Sequence, residues 1–166
     1  MRRFRKVKAD PDKAGDPRAV RMAAVALLAG RDFASGELKD KLEAQGYLPD
    51  AAGEAVAELV EGKVLDDSRY AEHFVTHRSN RGQGPARIAA ELRDLRLPPE
   101  IIEGALASGP DWKALAREVR TRKFGSAIPV TWTDKGRQGR FLQYRGFSSD
   151  HIRAALGGDF DPDALN

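Results

Sequence analysis

Three groups of basic residues in the second half of the chain are the side chains best suited to binding a partner. Guanidinium groups pair with phosphates or carboxylates through a planar fork of donors, and lysine adds a mobile point charge. Single surface charges usually signify little, but clusters of one sign attract a polyanion. The predicted binding surface comprises Arg78, Arg81 and Arg87, then Arg117, Arg120, Arg122 and Lys123, and finally Lys135, Arg137, Arg140 and Arg145.

The charges are distributed unevenly along the chain, although the net charge is only +3. Residues 50–72 hold seven acidic side chains against two basic ones, whereas residues 113–153 hold ten basic side chains against three acidic ones. This polarity favours a polyanion at the basic part of the chain and a basic protein surface at the acidic part.

No other combination of side chains matches a catalytic or metal-binding motif. His73 and His77 are four residues apart, but the residues between them lack the glutamate of the zinc hydrolase motif. The segment Arg81–Pro85 is rich in glycine, yet it lacks the Lys-Ser/Thr end of a nucleotide-binding loop. The chain has no cysteine, which excludes disulfides, thiolate metal ligands and a cysteine nucleophile. We therefore expect no catalytic activity, no metal and no cofactor.

The sequence shows no sign of a membrane span or of an export signal. No apolar run approaches the ~20 residues that are needed to cross a bilayer. The basic start of the chain is not followed by an apolar core, and the absence of cysteine fits a reducing compartment. We therefore expect a cytoplasmic protein that does not contact a membrane.

An internal repeat with a spacing of 50 residues organises the chain. Apolar, turn and acidic positions recur in the same order in three copies, and each copy predicts a helix, a tight turn and a second helix. The matched positions are Leu42, Leu92 and Leu142; Gly46, Arg96 and Gly146; Tyr47, Leu97 and Phe147; Asp50, Glu100 and Asp150; Ala52, Ile102 and Ile152; and Val56, Leu106 and Leu156.

A further amphipathic stretch precedes each matched block, so each repeat is predicted to contain three helices. The predicted fold class is all-α, with three tandem three-helix repeats forming an elongated, curved helical array. We place repeat 1 at residues 17–64, repeat 2 at 65–109 and repeat 3 at 110–157. Residues 1–16 are predicted to be a flexible basic N-terminal tail, and residues 158–166 a C-terminal tail.

Local features of the repeats lead to three more specific expectations. The Ser35 hydroxyl is expected to cap the second helix of repeat 1. Arg96 stands where the other two turns have glycine, so its turn is expected to differ or to be strained. Gly136 and Gly139 lie inside the second helix of repeat 3, and each costs ~1 kcal/mol relative to alanine. That helix is therefore expected to start late or to be flexible.

In each of the three repeats, within residues 31–38, 65–92 and 123–147, the sequence resembles the signatures of the RecX family of regulatory proteins. The most specific stretch is Leu-Asp-Asp-Ser-Arg-Tyr-Ala-Glu-His-Phe-Val at residues 65–75. The resemblance covers about residues 18–156. The matching segments are residues 31–33 and 37–38 of the first repeat, residues 65–75, 78, 81–88, 91 and 92 of the second, and residues 123–125 and 141–147 of the third.

The resemblance implies a regulatory role in homologous recombination. RecX proteins bind the helical RecA filament, typically suppress its ATP hydrolysis and strand exchange, and in some cases also bind DNA directly. We therefore expect this chain to be a monomeric, non-catalytic regulator of the RecA–single-stranded DNA filament, with single-stranded DNA as a second partner. The alternative is a helical-repeat protein that binds DNA directly and acts without RecA.

Overall fold

The computed structural model describes residues 8–158, 160 and 161, and the regular structure within these residues is helical throughout. The predicted all-α fold class is therefore confirmed. No helix of the described residues is long and apolar enough to span a bilayer. A 3₁₀ turn at Pro11–Lys13 is followed by α1 (Pro17–Leu28), α2 (Ser35–Gln45), α3 (Pro49–Glu61), α4 (Asp67–Asn80), α5 (Pro85–Asp94), α6 (Pro99–Ala107), α7 (Trp112–Phe124), α8 (Trp132–Tyr144) and α9 (Ser149–Leu156).

The chain divides into two compact units, and each is described by itself. The first unit holds the residues up to 70 together with residues 95–98, and the second holds residues 71–94 and those from 99 onward. The boundaries given above for the three repeats remain a prediction.

Proline marks the first residue of four helices, namely α1, α3, α5 and α6. The first amide of a helix has no partner within the helix, and the backbone angle of proline already suits a helix, so proline is favourable at this position. Aspartate caps the start of α1, in addition to its proline, and the start of α7. The Asp16 carboxylate accepts the Arg18 amide of α1 at 3.0 Å. The Asp111 carboxylate accepts the amides of Ala114 and Lys113, which hold the pKa of this group below its usual value.

The core of the first unit lies where α1, α2 and α3 pack together. Leu38 and Leu42, two of the residues that define the helical pattern, are fully buried one turn apart on α2. Burying a leucine side chain contributes about 1.5–3 kcal/mol, which explains why leucine recurs at this spacing. The other fully buried residues of these helices are Val20 and Ala24 of α1 and Ala52 of α3.

The start of α2 differs from the prediction. Ser35 is the first residue of the helix, and Ala34 occupies the cap position without a side-chain hydrogen bond. Asp67, the first residue of α4, supplies the cap instead, since its carboxylate accepts the Ser35 amide at 2.7 Å and the Ser35 hydroxyl at 2.5 Å. The expectation that Ser35 caps α2 is wrong, because the helix begins at Ser35 itself and the Ser35 hydroxyl donates to the Asp67 carboxylate.

The turn after α5 adopts the conformation of its glycine-containing counterparts. Arg96 has a φ of 62°, and Gly46 and Gly146 have φ values of 103° and 93°. A left-handed conformation is strained for a residue with a Cβ. The turn at Arg96 was expected either to differ from the other two or to be strained, and the structure shows the strained form. The Arg96 guanidinium pairs with the Asp40 carboxylate at 2.8 Å. The turn also lies close to Gly36, where an added Cβ would be 2.8 Å from the Arg96 Cβ.

The core of the second unit includes the packing of α7 against α8 and α9. Helix α8 is continuous from Trp132 to Tyr144, and Gly136 and Gly139 are buried within it. Thr131 caps the helix by accepting the Asp134 amide at 3.1 Å. The late start expected from the two glycines is therefore not found, because a threonine cap fixes the first turn ahead of them.

The residues before α1 are held against the first unit. The Ala9 amide donates to the Gln45 carbonyl at 2.7 Å, and the Leu48 amide donates to the Ala14 carbonyl at 2.9 Å. Between these two contacts lies the 3₁₀ turn. Residues 9–14 are thus bonded to the helical body and do not form the flexible tail that was expected over residues 1–16. Residues 1–7 lie outside the described residues.

The residues after α9 also differ from the expected tail. Phe160 is buried in the core of the second unit, and its ring centroid lies 5.2 Å from that of Trp132. Hydrophobic periodicity does not reveal this contact, because Phe160 lies outside any helix. Residues 159 and 162–166 of the predicted tail lie outside the described residues.

Candidate functional site

Four of the predicted basic residues meet around one cleft in the second unit. Arg81 lies between α4 and α5, Arg122 and Lys123 lie in the last turn of α7, and Arg145 follows α8. Each of the three basic groups recognised in the sequence therefore contributes to the same cleft. The cleft has a volume of about 140 Å³, and the rest of its lining is Gly82, Val119 and Phe141.

Hydrogen bonds between the α4–α5 connection and the α8–α9 turn hold this cleft together. The Gly84 amide donates to the Arg145 carbonyl at 2.8 Å, and the Ala86 amide donates to the Gly146 carbonyl at 3.0 Å. The Arg145 guanidinium donates to the Arg81 carbonyl at 3.2 Å. The cations therefore stand on a preformed frame, which lowers the entropy that a ligand must offset on binding.

Two glycines make this frame sterically possible. A Cβ at Gly84 would lie 2.4 Å from the carbonyl carbon and oxygen of Gly146. A Cβ at Gly146 would lie 2.5 Å from the Arg87 Cβ, and the φ of 93° at this residue independently favours glycine. This contact joins the start of α5 to the turn between α8 and α9. We call it the glycine joint.

The cleft retains positive charge that an anion can neutralise. Arg122 pairs with Glu118 one helical turn away, but both side chains are about 60% exposed, so water screens the pair. The Arg145 guanidinium lies 5.3 Å from the Phe141 ring centroid. Arg81 and Lys123 are exposed, and within the described part of the chain no carboxylate pairs with either side chain.

Glu91 of α5 binds two arginines of the first basic group, a role that the sequence analysis did not predict. Its carboxylate accepts Arg78 at 2.8 Å, Gln83 at 3.3 Å and Arg87 at 3.4 Å. Arg78 is only 28% exposed, and its guanidinium lies 4.7 Å from the Phe74 ring centroid. Arg78 therefore joins α4 to α5 and presents little charge to a partner.

Arg120 does not belong to the binding surface that was predicted for it. It is only 2% exposed, and its guanidinium donates to the Ala127 and Ser126 carbonyls at 2.9 Å and 3.2 Å. It also contacts the Gln138 side-chain oxygen at 3.4 Å. Burying an arginine is tolerated only when such partners replace water, so its role is to fasten the α7–α8 connection. Helix phase could not reveal this, because the partners lie in an irregular segment.

The remaining predicted residues lie outside the cleft lining. Arg117 is exposed and donates to the Ala154 carbonyl of α9 at 3.0 Å. Arg137 pairs with Asp134 on its own helix at 3.2 Å, and Lys135 is half-buried. Arg140 is exposed on α8. These four residues therefore do not contribute to the cleft lining.

An exposed tyrosine beside the cleft was also missed. Tyr144 is the last residue of α8, is 78% exposed, and has the Arg87 guanidinium 5.8 Å from its ring centroid. Its position next to Arg145 in the family signature was the available signal. Phe147, three residues later, is by contrast part of the core at 3% exposure.

The first unit presents an apolar surface that the sequence reasoning did not single out. Met22 and Val25 of α1 are 74% and 49% exposed, and Arg18 and Arg21 lie beside them. Contiguous apolar patches on a protein surface often mark contacts with other molecules. The signal in the sequence was the apolar character of α1 on more than one side.

The start of α9 contains a histidine whose neutral form is needed for the local structure. The Ser148 amide donates to Nδ1 of His151 at 3.2 Å, and the Ser148 hydroxyl accepts the His151 amide at 3.5 Å. Burial lowers the pKa of His151 below its usual value. Because the unfolded state then binds the proton more readily than the folded state, acid destabilises the fold through this group.

We therefore expect the melting temperature to fall as the pH drops below the ordinary histidine pKa of about 6.5, with the full contribution of His151 present above that value. The His151→Gln variant, which keeps an acceptor at this capping position, should lose this part of the pH dependence. Thermal unfolding followed by circular dichroism between about pH 7.5 and about pH 5.5 measures it. His73→Gln, at an exposed position, is the control; equal slopes for all three proteins would contradict the assignment.

The described residues contain no group of three or more histidine and carboxylate side chains arranged to hold a metal ion. His73 and His77 both lie exposed on α4. What the geometry does provide is a preformed cationic cleft, the exposed ring of Tyr144 next in sequence to the cleft residue Arg145, and an apolar face on the first unit. These features define a helical-repeat protein built for binding.

Comparison with known families agrees with this class. Residues 66–106 match the second three-helix domain of RecX, and residues 111–156 match the third three-helix domain of RecX. The two matches include all of the cleft lining.

Similar full-length proteins identify the family. The regulatory protein RecX of Halorhodospira halophila is 44% identical over 138 residues, which cover 82% of this chain and 86% of the relative. The regulatory protein RecX of Pseudomonas savastanoi pv. phaseolicola is 43% identical over 143 residues, covering 86% and 92% of the two chains. The chain therefore belongs to the RecX family, whose members are named as regulatory proteins and not as enzymes.

Solved structures share the fold. The crystal structure of RecX from Lactobacillus salivarius superimposes with a TM-score of 0.71 at 24% identity, covering 86% of this chain and 96% of the other. A second crystal structure of a regulatory protein RecX gives a TM-score of 0.72 at 18% identity, covering 89% and 78%. This likeness supports the helical repeat array that the sequence predicted.

Proposed function

We propose that this protein binds the RecA–single-stranded DNA filament in the cytoplasm as a monomer and lowers its ATP hydrolysis and strand exchange. The observation that supports this proposal best is the convergence of Arg81, Arg122, Lys123 and Arg145 on one cleft. A nucleoprotein filament offers both phosphates and protein carboxylates, and guanidinium groups bind both. The family name and the resemblance described above supply RecA as the partner.

The regulation would follow from differential affinity. A protein that binds one filament state more tightly than another shifts the population toward that state, and this requires no catalytic step. The apolar face of α1 and the cationic cleft of the second unit offer two chemically different surfaces for such contacts. ATP would be hydrolysed by RecA alone. The consequence would be a restraint on homologous recombination and DNA repair.

The direct test is RecA-driven ATP hydrolysis on single-stranded DNA, titrated with this protein. We expect the hydrolysis rate to fall as the protein approaches the concentration of filament, because binding a filament state that hydrolyses slowly draws RecA into it. A coupled assay of ADP release at fixed salt measures the rate. Unchanged hydrolysis at a protein concentration that saturates filament binding would contradict the proposal.

The second candidate is a DNA-binding protein that acts without RecA, which the exposed Tyr144 next to a cationic cleft favours. The two functions differ in partner dependence. The regulator binds RecA-coated DNA more tightly than naked DNA, whereas the direct binder does not. Direct binding also weakens with salt, with a log–log slope of roughly −0.7 per phosphate neutralised on a single strand.

A further inference from the structure

We infer that Tyr144 is a base-stacking residue and that the cleft beside it holds a phosphate of the same strand, so that the two form a site for single-stranded nucleic acid. The inference deepens the proposed function, since it identifies the residues through which the protein would contact DNA. It concerns binding to naked strands, and its test is independent of any effect on RecA.

Tyr144 is not part of the core that α8 helps to build. The core side of α8 is occupied by the fully buried Leu142 and by Phe141, whereas 78% of Tyr144 faces solvent. A tyrosine ring offers a large, stiff apolar face at low entropic cost, and each base has a π-face that stacks on it without regard to sequence. An exposed ring next to positive charge is thus suited to an unpaired base.

Arg87 adds a second planar group to this platform. Its guanidinium lies 5.8 Å from the Tyr144 ring centroid, within the distance of a cation–π contact. Its ion pair with Glu91 is long, at 3.4 Å, and both side chains are partly exposed, so the guanidinium can turn toward a ligand. Bases in single strands stack on guanidinium planes as well as on aromatic rings.

The glycine joint holds the platform and the cleft on one frame. Tyr144 directly precedes Arg145, whose side chain lines the cleft and whose carbonyl accepts the Gly84 amide. Arg87 follows Ala86, the other amide donor of the joint. A strand whose base lies on Tyr144 therefore has its backbone next to the cations of the cleft.

The combination distinguishes a nucleic acid from an acidic protein surface. A carboxylate would use the four cations but would gain nothing from an exposed ring. The cleft, at about 140 Å³, has room for a phosphate group, and four of its seven lining residues are cationic. In a duplex the base faces are already stacked on one another, so the platform favours a single strand.

The test uses the full chain without RecA and three fluorescent probes with equal numbers of phosphates: an oligothymidine of about 15 nucleotides, an abasic strand and a duplex. We expect the wild-type protein to bind oligothymidine more tightly than the other two by fluorescence anisotropy. Tyr144→Leu should weaken oligothymidine binding about tenfold, the effect of losing one base–aromatic stack, and leave the abasic strand unchanged. Tyr144→Phe should retain the preference.

Two controls make the outcome decisive. Lys123→Gln should weaken binding to oligothymidine and to the abasic strand by the same factor, because it removes a phosphate contact and no stack. Melting curves should be unchanged in all variants, since Tyr144 and Lys123 are exposed. If Tyr144→Leu weakened both strands equally or neither, the stacking role would be refuted. If polyglutamate of matched charge displaced oligothymidine as well as unlabelled oligothymidine does, the site would be one for acidic proteins.

Discussion

The Gly84→Ala variant is expected to lose about 3–5 kcal/mol of unfolding free energy, a large share of the total for a small protein. The added methyl group would lie 2.4 Å from the Gly146 carbonyl, and the contacting atoms are backbone atoms that cannot rotate away. Relief requires the α4–α5 connection to separate from the α8–α9 turn, which breaks two hydrogen bonds of the glycine joint. Urea denaturation at neutral pH measures the loss.

The matched control for this variant is Gly104→Ala in α6. Nothing lies within 4 Å of a Cβ at Gly104, and the residue is inside a helix, so alanine should be neutral or should stabilise the protein by up to ~1 kcal/mol. Because the cleft residues stand on the joint, Gly84→Ala should also lower affinity for DNA under conditions where the protein remains folded. A loss below about 1 kcal/mol in Gly84→Ala would show that the joint is not close-packed in solution.

The second large effect is expected on function. In the double variant Arg122→Glu, Lys123→Glu, half-maximal inhibition of RecA-driven ATP hydrolysis should require about a hundredfold more protein, because two attractive contacts become repulsive. Both side chains are exposed, so the free energy of unfolding should change by less than about 0.5 kcal/mol apart from a weak repulsion with Glu118. Titration of the ATPase rate measures the effect.

The control is a double variant with the same change in net charge away from the cleft. Lys41→Glu in α2 and Arg93→Glu in α5 alter exposed residues that do not line it. If the control lost as much inhibition as the cleft variant, overall charge and not the cleft would govern binding. Arg78 and Arg120 are unsuitable for such tests, because their reversal would break an ion pair with Glu91 and a buried hydrogen-bond network.

The helices could be predicted from the sequence because their signals are local. Leu42 and Leu142 recur at the same phase, and both are fully buried. The turn positions Gly46 and Gly146 adopt the left-handed conformation that ends a helix. Even Arg96, which breaks the pattern, takes the same conformation, since the packing around the turn fixes the backbone more strongly than the residue type does.

The features that could not be predicted depend on contacts between distant residues. Arg120 has the same sequence context as its exposed neighbours, and only its carbonyl partners at 126 and 127 reveal that it is structural. The cap on Ser35 comes from Asp67, and periodicity does not connect the two. The basic groups were visible in the sequence, but the subset that meets around one cleft depends on the glycine joint.

Phe160 packs against the first residue of α8 in the core of the second unit. Helices α2 and α5, each the second helix of its repeat, both start against a turn that comes later in the chain. Gly36 lies next to Arg96, and Gly84 lies next to Gly146. Helix α8 begins at Trp132, whose ring centroid lies 5.2 Å from that of Phe160. A modular array with an uncovered apolar end would recruit another molecule in open-ended fashion, and terminal caps prevent this growth. Phe160, which is buried and packs against Trp132, thus covers part of the surface that such a contact would use.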